Sequence, residues 1–245
     1  MRFALFHLSA GLMLGAITAC AFTLTPISAT LEPKGAGATA TFRLENESSN
    51  RMAFQVRITT REPDEAGNEI QSPVTNLFVV FPPQGILGPG QKQSVRVMWK
   101  GTPDPTQELA YRIVAEQLPV DFHVERSPER AQSFIQMLIQ YKGTVYVRPK
   151  SARPRLEVIG LTRSTGTTSN VYALVITNSG SAHQGLRGPV LSITDTPPHQ
   201  VDIPANQLPT VAGENVLAHH ARRFQVILPP NLTKQDYPAL LHVEE

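Results

Sequence analysis

The stretch 133–149, SFIQMLIQYKGTVYVRP, decides how the rest of the chain is read. Ile135, Met137, Ile139 and Tyr141 stand at spacing two, so an extended chain places them on one face. Gln136 and Gln140 alternate with them, whereas Phe134 and Leu138 make the second face partly apolar as well. A strand with one wet face has no use for Phe134 and Leu138; a strand that packs on both sides does. Two readings follow. The run is either the buried central strand of a sandwich or an edge strand whose apolar row is offered to another protein.

Upstream, the same alternation recurs in shorter runs. FTLTPISATL (22–31) reads as a strand interrupted by Pro26, which cannot donate to a ladder and so predicts an edge or a bend between two sheets. ATATFRLE (38–45) and RMAFQVRITT (51–60) alternate cleanly, and LFVVF (77–81), QSVRVMW (93–99) and ELAYRIVAEQL (108–118) follow. Turns rich in Gly and Pro separate them at 34–37, 63–67 and 87–90, and a charged loop, 120–132, leads into the opening stretch. Beyond Pro149, KSARP (150–154) reads as a linker. A second β pattern comes after it, clearest in NVYALVITN (170–178) and shorter at 190–194, 200–203 and 223–228. Short strands at regular spacing predict an all-β chain of immunoglobulin-like sandwiches. The expected division is a first domain over 22–149, the linker, and a second β-sandwich domain over 155–245.

Residues 1–21, MRFALFHLSAGLMLGAITACA, carry one Arg near the start, an apolar middle and small residues at the end. That is the pattern of a secretory signal peptide. Ala19-Cys20-Ala21 fits the small-x-small rule and predicts cleavage after Ala21. Ile17-Thr18-Ala19-Cys20 also resembles a lipoprotein box, which would leave Cys20 as a lipidated first residue. The strand-like pattern that begins at Phe22 without a tether favours cleavage. Cys20 is the one cysteine, so thiolate metal sites and cysteine nucleophiles are excluded from the exported chain. About 224 residues can bury a core without disulfides. No other stretch is long and apolar enough to span a bilayer.

A formal charge of +2 is too small to imply nucleic acid as a partner. The chain has no G-x-S-x-G, no phosphate-cradling glycine loop and no H-E-x-x-H. His219 and His220 are adjacent, so on a strand they point to opposite faces and make a poor metal pair. The expectation is a protein that is not an enzyme, with no cofactor, no metal and no small-molecule substrate. Asn46-Glu47-Ser48 and Asn231-Leu232-Thr233 are formal glycosylation sequons.

In their order and spacing, LFVVFPPQGILGPGQKQSVRV (77–97), ELAYRIVAEQLP (108–119) and a strand ending YVRP (146–149) resemble the periplasmic chaperones of the chaperone–usher pilus pathway. The resemblance covers 22–149 well and the remainder loosely. It implies two immunoglobulin-like domains in a boomerang arrangement, located in the periplasm. The partners it implies are pilus or fimbrial subunits and an outer-membrane usher. In that family the last strand of the first domain completes a subunit that lacks a strand of its own. Here the donor would be the opening stretch, with Ile135, Met137 and Ile139 entering the subunit's groove and Tyr141 continuing their row.

The family also anchors the subunit's C-terminal carboxylate between two basic residues, and the aligned positions here are Ser28 and Thr144, neither charged. Lys142, on the same face as Thr144, and Arg112, in the neighbouring strand, are expected to replace the usual pair. The alternative is that Arg112 pairs with Glu116 or another neighbour and Lys142 is solvated. Glu108 and Arg148 stand where the family has its interdomain acid and base, with Glu244 or Glu245 as the expected second acid. The rival to the whole reading is a two-domain immunoglobulin-like exported adhesin or structural protein without a client.

Overall fold

The structure is a computed structural model that describes residues 22–120, 122, 138–166 and 170–244. Residues 1–21, Ile135, Met137 and most of the charged loop lie outside the described residues. The first eleven strands are β1 (Phe22–Thr25), β2 (Ser28–Leu31), β3 (Thr39–Asn46), β4 (Met52–Thr60), β5 (Glu62–Pro63), β6 (Glu69–Ile70), β7 (Phe78–Phe81), β8 (Gln84–Leu87), β9 (Lys92–Trp99), β10 (Leu109–Leu118) and β11 (Gln140–Val147). They form a sheet β1-β3-β9-β7 facing a sheet β2-β11-β10-β4-β8, with β5 and β6 as a separate small hairpin.

Alternation explains the packing. Phe42 and Leu44 of β3 and Val95 and Val97 of β9 point inward, against Phe54, Val56 and Ile58 of β4, Ile113 of β10 and Val145 of β11. Pro26 falls between β1 and β2, and there the chain leaves one sheet for the other. Asn46 closes β3 and is fully buried. Its Nδ2 donates toward the carbonyls of Asn50 at 2.7 Å, Gly88 at 3.0 Å and Leu87 at 3.2 Å. The first sequon is therefore a structural tie, with its amide nitrogen inside the fold; Asn231 of the second is exposed.

The second body comprises β12 (Leu156–Arg163), β13 (Val171–Asn178), β14 (Gln184–Gly185), β15 (Val190–Thr196), β16 (His199–Ile203), β17 (Asn215–Val216), β18 (Ala221–Ile227) and β19 (Ala239–His242). Sheets β12-β13-β18 and β16-β15-β19 enclose a separate core that includes Tyr172, Leu174, Ile176, Leu191 and Phe224. Asn178 mirrors Asn46: it is fully buried and donates to Ala182 O at 2.7 Å and Val216 O at 3.1 Å. The connecting segment 150–154 is docked, because Ala152 is buried and Arg153 O accepts from Ser181 N at 2.8 Å.

Several elements differ from the sequence reading. Within the described residues the strand of the opening stretch starts at Gln140, so Leu138 and Ile139 precede it. Strands β8, β12 and β19 and the two-residue strands β5, β6, β14 and β17 have no counterpart in that reading. In β12 the register shifts between Val158 and Gly160, and the bulge breaks the period of two that would have marked the strand.

Candidate functional site

β11 is the element on which the site is built. It pairs with β10 along its whole length, from Gln140 opposite Glu116 to Val147 opposite Leu109. On its other side β2 runs parallel to it only from Thr144 to Val147. Gln117 N donates to Ile139 O at 3.0 Å, so the odd-numbered residues turn their main-chain groups toward β10. The even-numbered ones turn the other way: Thr144 N reaches Ile27 O at 2.8 Å and Arg148 N reaches Leu31 O at 2.9 Å. Gln140 and Lys142 face that same side, where among the described residues no strand stands beside them. Among the described residues, the first half of β11 is an open edge.

Side chains on this half are divided between the core and the surroundings. Ile139 and Tyr141 are partly buried against the first core, and Tyr141 meets the buried Phe22 ring edge-on at 5.6 Å between centroids. Leu138 is 46% exposed and Lys142 is exposed. Of the four apolar residues expected to form the row, Ile139 and Tyr141 are placed on the inner face, and Ile135 and Met137 lie outside the described residues.

Across the outer face of this sheet, one row of register positions crosses four strands: Ser28, Thr144, Arg112 and Thr59. Arg112 Nη1 donates to Thr144 Oγ1 at 2.5 Å. The rest of its guanidinium is gripped by Glu69, with Nε to Oε2 at 2.8 Å and Nη2 to Oε1 at 2.6 Å. Arg61 Nε shares Glu69 Oε1 at 2.9 Å, and its Nη1 donates to the Tyr146 hydroxyl at 2.7 Å. Burial works to raise the Glu69 carboxyl pKa, but hydrogen bonds and charge from Arg112 and Arg61 outweigh it and hold the value at about 2. Glu116 is engaged elsewhere, with Arg57 at 3.3 Å and Gln140 at 2.8 Å. Arg112 thus has a partner that no local pattern predicts, since Glu69 lies in a separate hairpin.

At the junction of the two bodies, Glu108 is buried to 1% side-chain exposure. Its carboxylate accepts from Arg148 Nε and, at 3.0 Å, from His183 N, and His183 Nδ1 lies 2.6 Å from Oε1. Arg148 Nη2 also lies 2.8 Å from His183 Nδ1, but an ionised carboxylate can only accept, so the ring nitrogen carries its proton toward Glu108. Burial opposes ionisation of Glu108; His183 and Arg148 more than offset it, and the pKa is lowered. His183 also stacks on Tyr146, centroids 3.8 Å apart and planes 13° from parallel. The second-body partner in this cluster is His183, whereas Glu244 belongs to a different contact, its N–H donating to Arg187 O at 2.9 Å. A cleft of about 280 Å³ opens nearby between Thr60, Arg61, Tyr111, Leu217 and His220.

Residues 24–153 match the family model described as pili and flagellar-assembly chaperone, PapD N-terminal domain. Among solved structures, the class 5 fimbriae chaperone CfaA is 16% identical, with a TM-score of 0.55 over 92% of this chain and 100% of its own. A chain of the CsuC–CsuE chaperone–tip adhesion subunit pre-assembly complex, from archaic chaperone-usher Csu pili of Acinetobacter baumannii, is 13% identical at TM-score 0.55, covering 84% of this chain and 90% of that one. A chain of the Salmonella enterica SafA pilin–SafB chaperone complex is 16% identical at TM-score 0.54, covering 94% and 99%. At these identities the likeness is one of fold. A search of the curated proteins finds no match.

Proposed function

Because this chain belongs to the family of pili and flagellar-assembly chaperones, we propose that it works in the periplasm, lends a strand to an incomplete pilus or fimbrial subunit, and passes that subunit to an outer-membrane usher. The chain is not an enzyme. The observation that carries the proposal is the edge at Gln140 and Lys142, open among the described residues and continuous with a strand whose second half is paired on both sides. Unpaired main-chain groups at a sheet edge template another strand irrespective of its side chains. Ile135, Met137, Ile139 and Tyr141 supply the apolar row, each buried side chain contributing on the order of 1.5–3 kcal/mol.

In the same proposal the subunit's terminal carboxylate is held on the outer face of the sheet by Arg112 and Lys142. Lys142 is exposed, two residues before Thr144, and Arg112 touches Thr144 directly. Glu108 and Arg148 act as the bridge that sets the angle between the two bodies, and with it the cleft.

The test is a periplasmic pull-down of the tagged chain against an Ile135→Asp/Ile139→Asp double variant. The wild type should retain a small secreted β-subunit, and the variant should lose it while still folding. Arg112→Ala and Lys142→Ala should each weaken retention. A variant that holds the subunit as well as the wild type would reduce the stretch to a core strand, and a wild type that recovers no subunit would leave a client-free adhesin as the better reading.

A further inference from the structure

We infer that Glu69 is a built-in carboxylate seated in the arginine fork that would hold a subunit's terminal carboxylate, so that capture at this point proceeds by exchange of one carboxylate for another. The inference rests on the reading of the cleft as a carboxylate anchor.

Geometry is the first support. Glu69 meets Arg112 through both oxygens, at 2.8 Å and 2.6 Å, the parallel fork that any incoming carboxylate would adopt. The two anions would therefore compete for the same donors. Charge is the second. Arg61 and Arg112 both face Glu69; Glu116 is engaged with Arg57, Glu108 with Arg148 and His183, and Glu62, next to Arg61, is exposed to solvent. Two guanidiniums against one carboxylate leave a net positive site that still attracts an anion.

The third support is the element that carries Glu69. Arg112 is fixed within β10, which pairs on both sides, whereas Glu69 stands on β6, whose partner is the two-residue β5 alone. Main-chain bonds to β4 begin only beyond β6, where Thr60 N donates to Ser72 O at 2.9 Å, so β6 itself can shift without breaking a strand pairing of either sandwich. The tip of this hairpin lies on the second body, where Arg223 N donates to Glu65 O at 2.7 Å and Arg223 Nη2 to Glu65 Oε2 at 3.0 Å. At Gly67, with φ of 91°, Arg222 lies so close that a Cβ would fall 2.5 Å from its Nη2. Release of Glu69 from Arg112 would thus be transmitted to β18 through the hairpin.

The experiment follows the Arg Nε–Hε resonances of the chain lacking residues 1–21, titrated with sodium acetate against sodium chloride at equal ionic strength. Wild type, Glu69→Gln and Glu69→Asp are compared. Glu69→Gln should bind acetate at least about tenfold more tightly than wild type, as expected when one charged hydrogen-bonding competitor is removed, with the shifts at Arg112 and Arg61. Glu69→Asp, which keeps the charge on a shorter side chain, should fall between. Equal acetate affinity in wild type and Glu69→Gln, or shifts that chloride reproduces, would overturn the inference. Should Glu69→Gln fail to fold, equal affinity in wild type and Glu69→Asp overturns it alone. The subunit pull-down is a separate readout: retention of a subunit with no effect of Glu69 on acetate removes this inference and leaves the chaperone reading standing. Loss of subunit retention, with the acetate effect intact, does the reverse.

Discussion

Glu69 illustrates how a carboxylate with no local signature becomes the charge centre of a site. Its pKa lies at about 2, below the ordinary 4.5, because two guanidiniums favour the ionised form more than burial disfavours it. A depressed pKa contributes stability that is fully present above the unfolded-state value and is lost as pH falls through the folded one. The urea midpoint of the wild type should therefore exceed that of Glu69→Gln at pH 7, and the gap should close between about pH 4.5 and pH 2. A gap that persists unchanged at pH 2 would mean that the ion pairs contribute nothing to it. Sequence reasoning did not reach Glu69, for a physical reason. Arg112 lies 43 residues away and Arg61 eight, and the short segment 62–70 that carries Glu69 has no apolar period to place it. The available signal was the converse one: an arginine inside an otherwise apolar strand such as ELAYRIV needs an acid from somewhere.

β11 poses the question of why the edge stops at Thr144. Gly143 supplies much of the answer. A Cβ there would lie 2.7 Å from the Ile27 carbonyl oxygen and 2.8 Å from Ile113 Cγ2, so only glycine lets the chain ahead of β2 come this close while the core side stays filled. Gly143→Val should push β2 away and cost about 1–3 kcal/mol, the usual range for overpacking. Amide exchange at Thr144 and Arg148, whose N–H groups go to Ile27 and Leu31, should accelerate, and protection across the β10–β4 pairing should change little. Unaltered exchange at Thr144 would show that β2 tolerates the added side chain. The strands legible from sequence were those with an unbroken period of two, such as β3, β4, β9 and β13. β12 was hidden by its bulge, and β8 by its position between Pro82-Pro83 and a glycine turn, where four residues offer too short a period to read.

At the scale of the molecule, two sandwiches with separate cores meet through polar clusters, so the most buried of these groups matters more than its size suggests. Glu108 joins the bodies through main chain and side chain together: its N–H donates to Ser181 O at 2.9 Å, and its carboxylate takes the His183 N–H at 3.0 Å. Resemblance pointed to Glu108 and Arg148 from the sequence, but His183 sits in a Gly/Ser turn with nothing to distinguish it. Glu108→Ala would strand the Arg148 guanidinium and leave the His183 amide without its acceptor, a change that in buried pairs costs on the order of 3–5 kcal/mol. In calorimetry the variant should unfold in two separated transitions where the wild type gives one, since loss of coupling lets each core melt alone. His183→Ala keeps the backbone donor and the Glu108–Arg148 pair while removing the ring stacked on Tyr146, so its transitions should separate less. If Glu108→Ala still melts as one unit, the contacts it leaves in place suffice to couple the cores: the main-chain bond from position 108 to Ser181 O, the His183–Tyr146 stack, the Glu65–Arg223 clip and the Asn215–Tyr146 hydrogen bond at 3.0 Å.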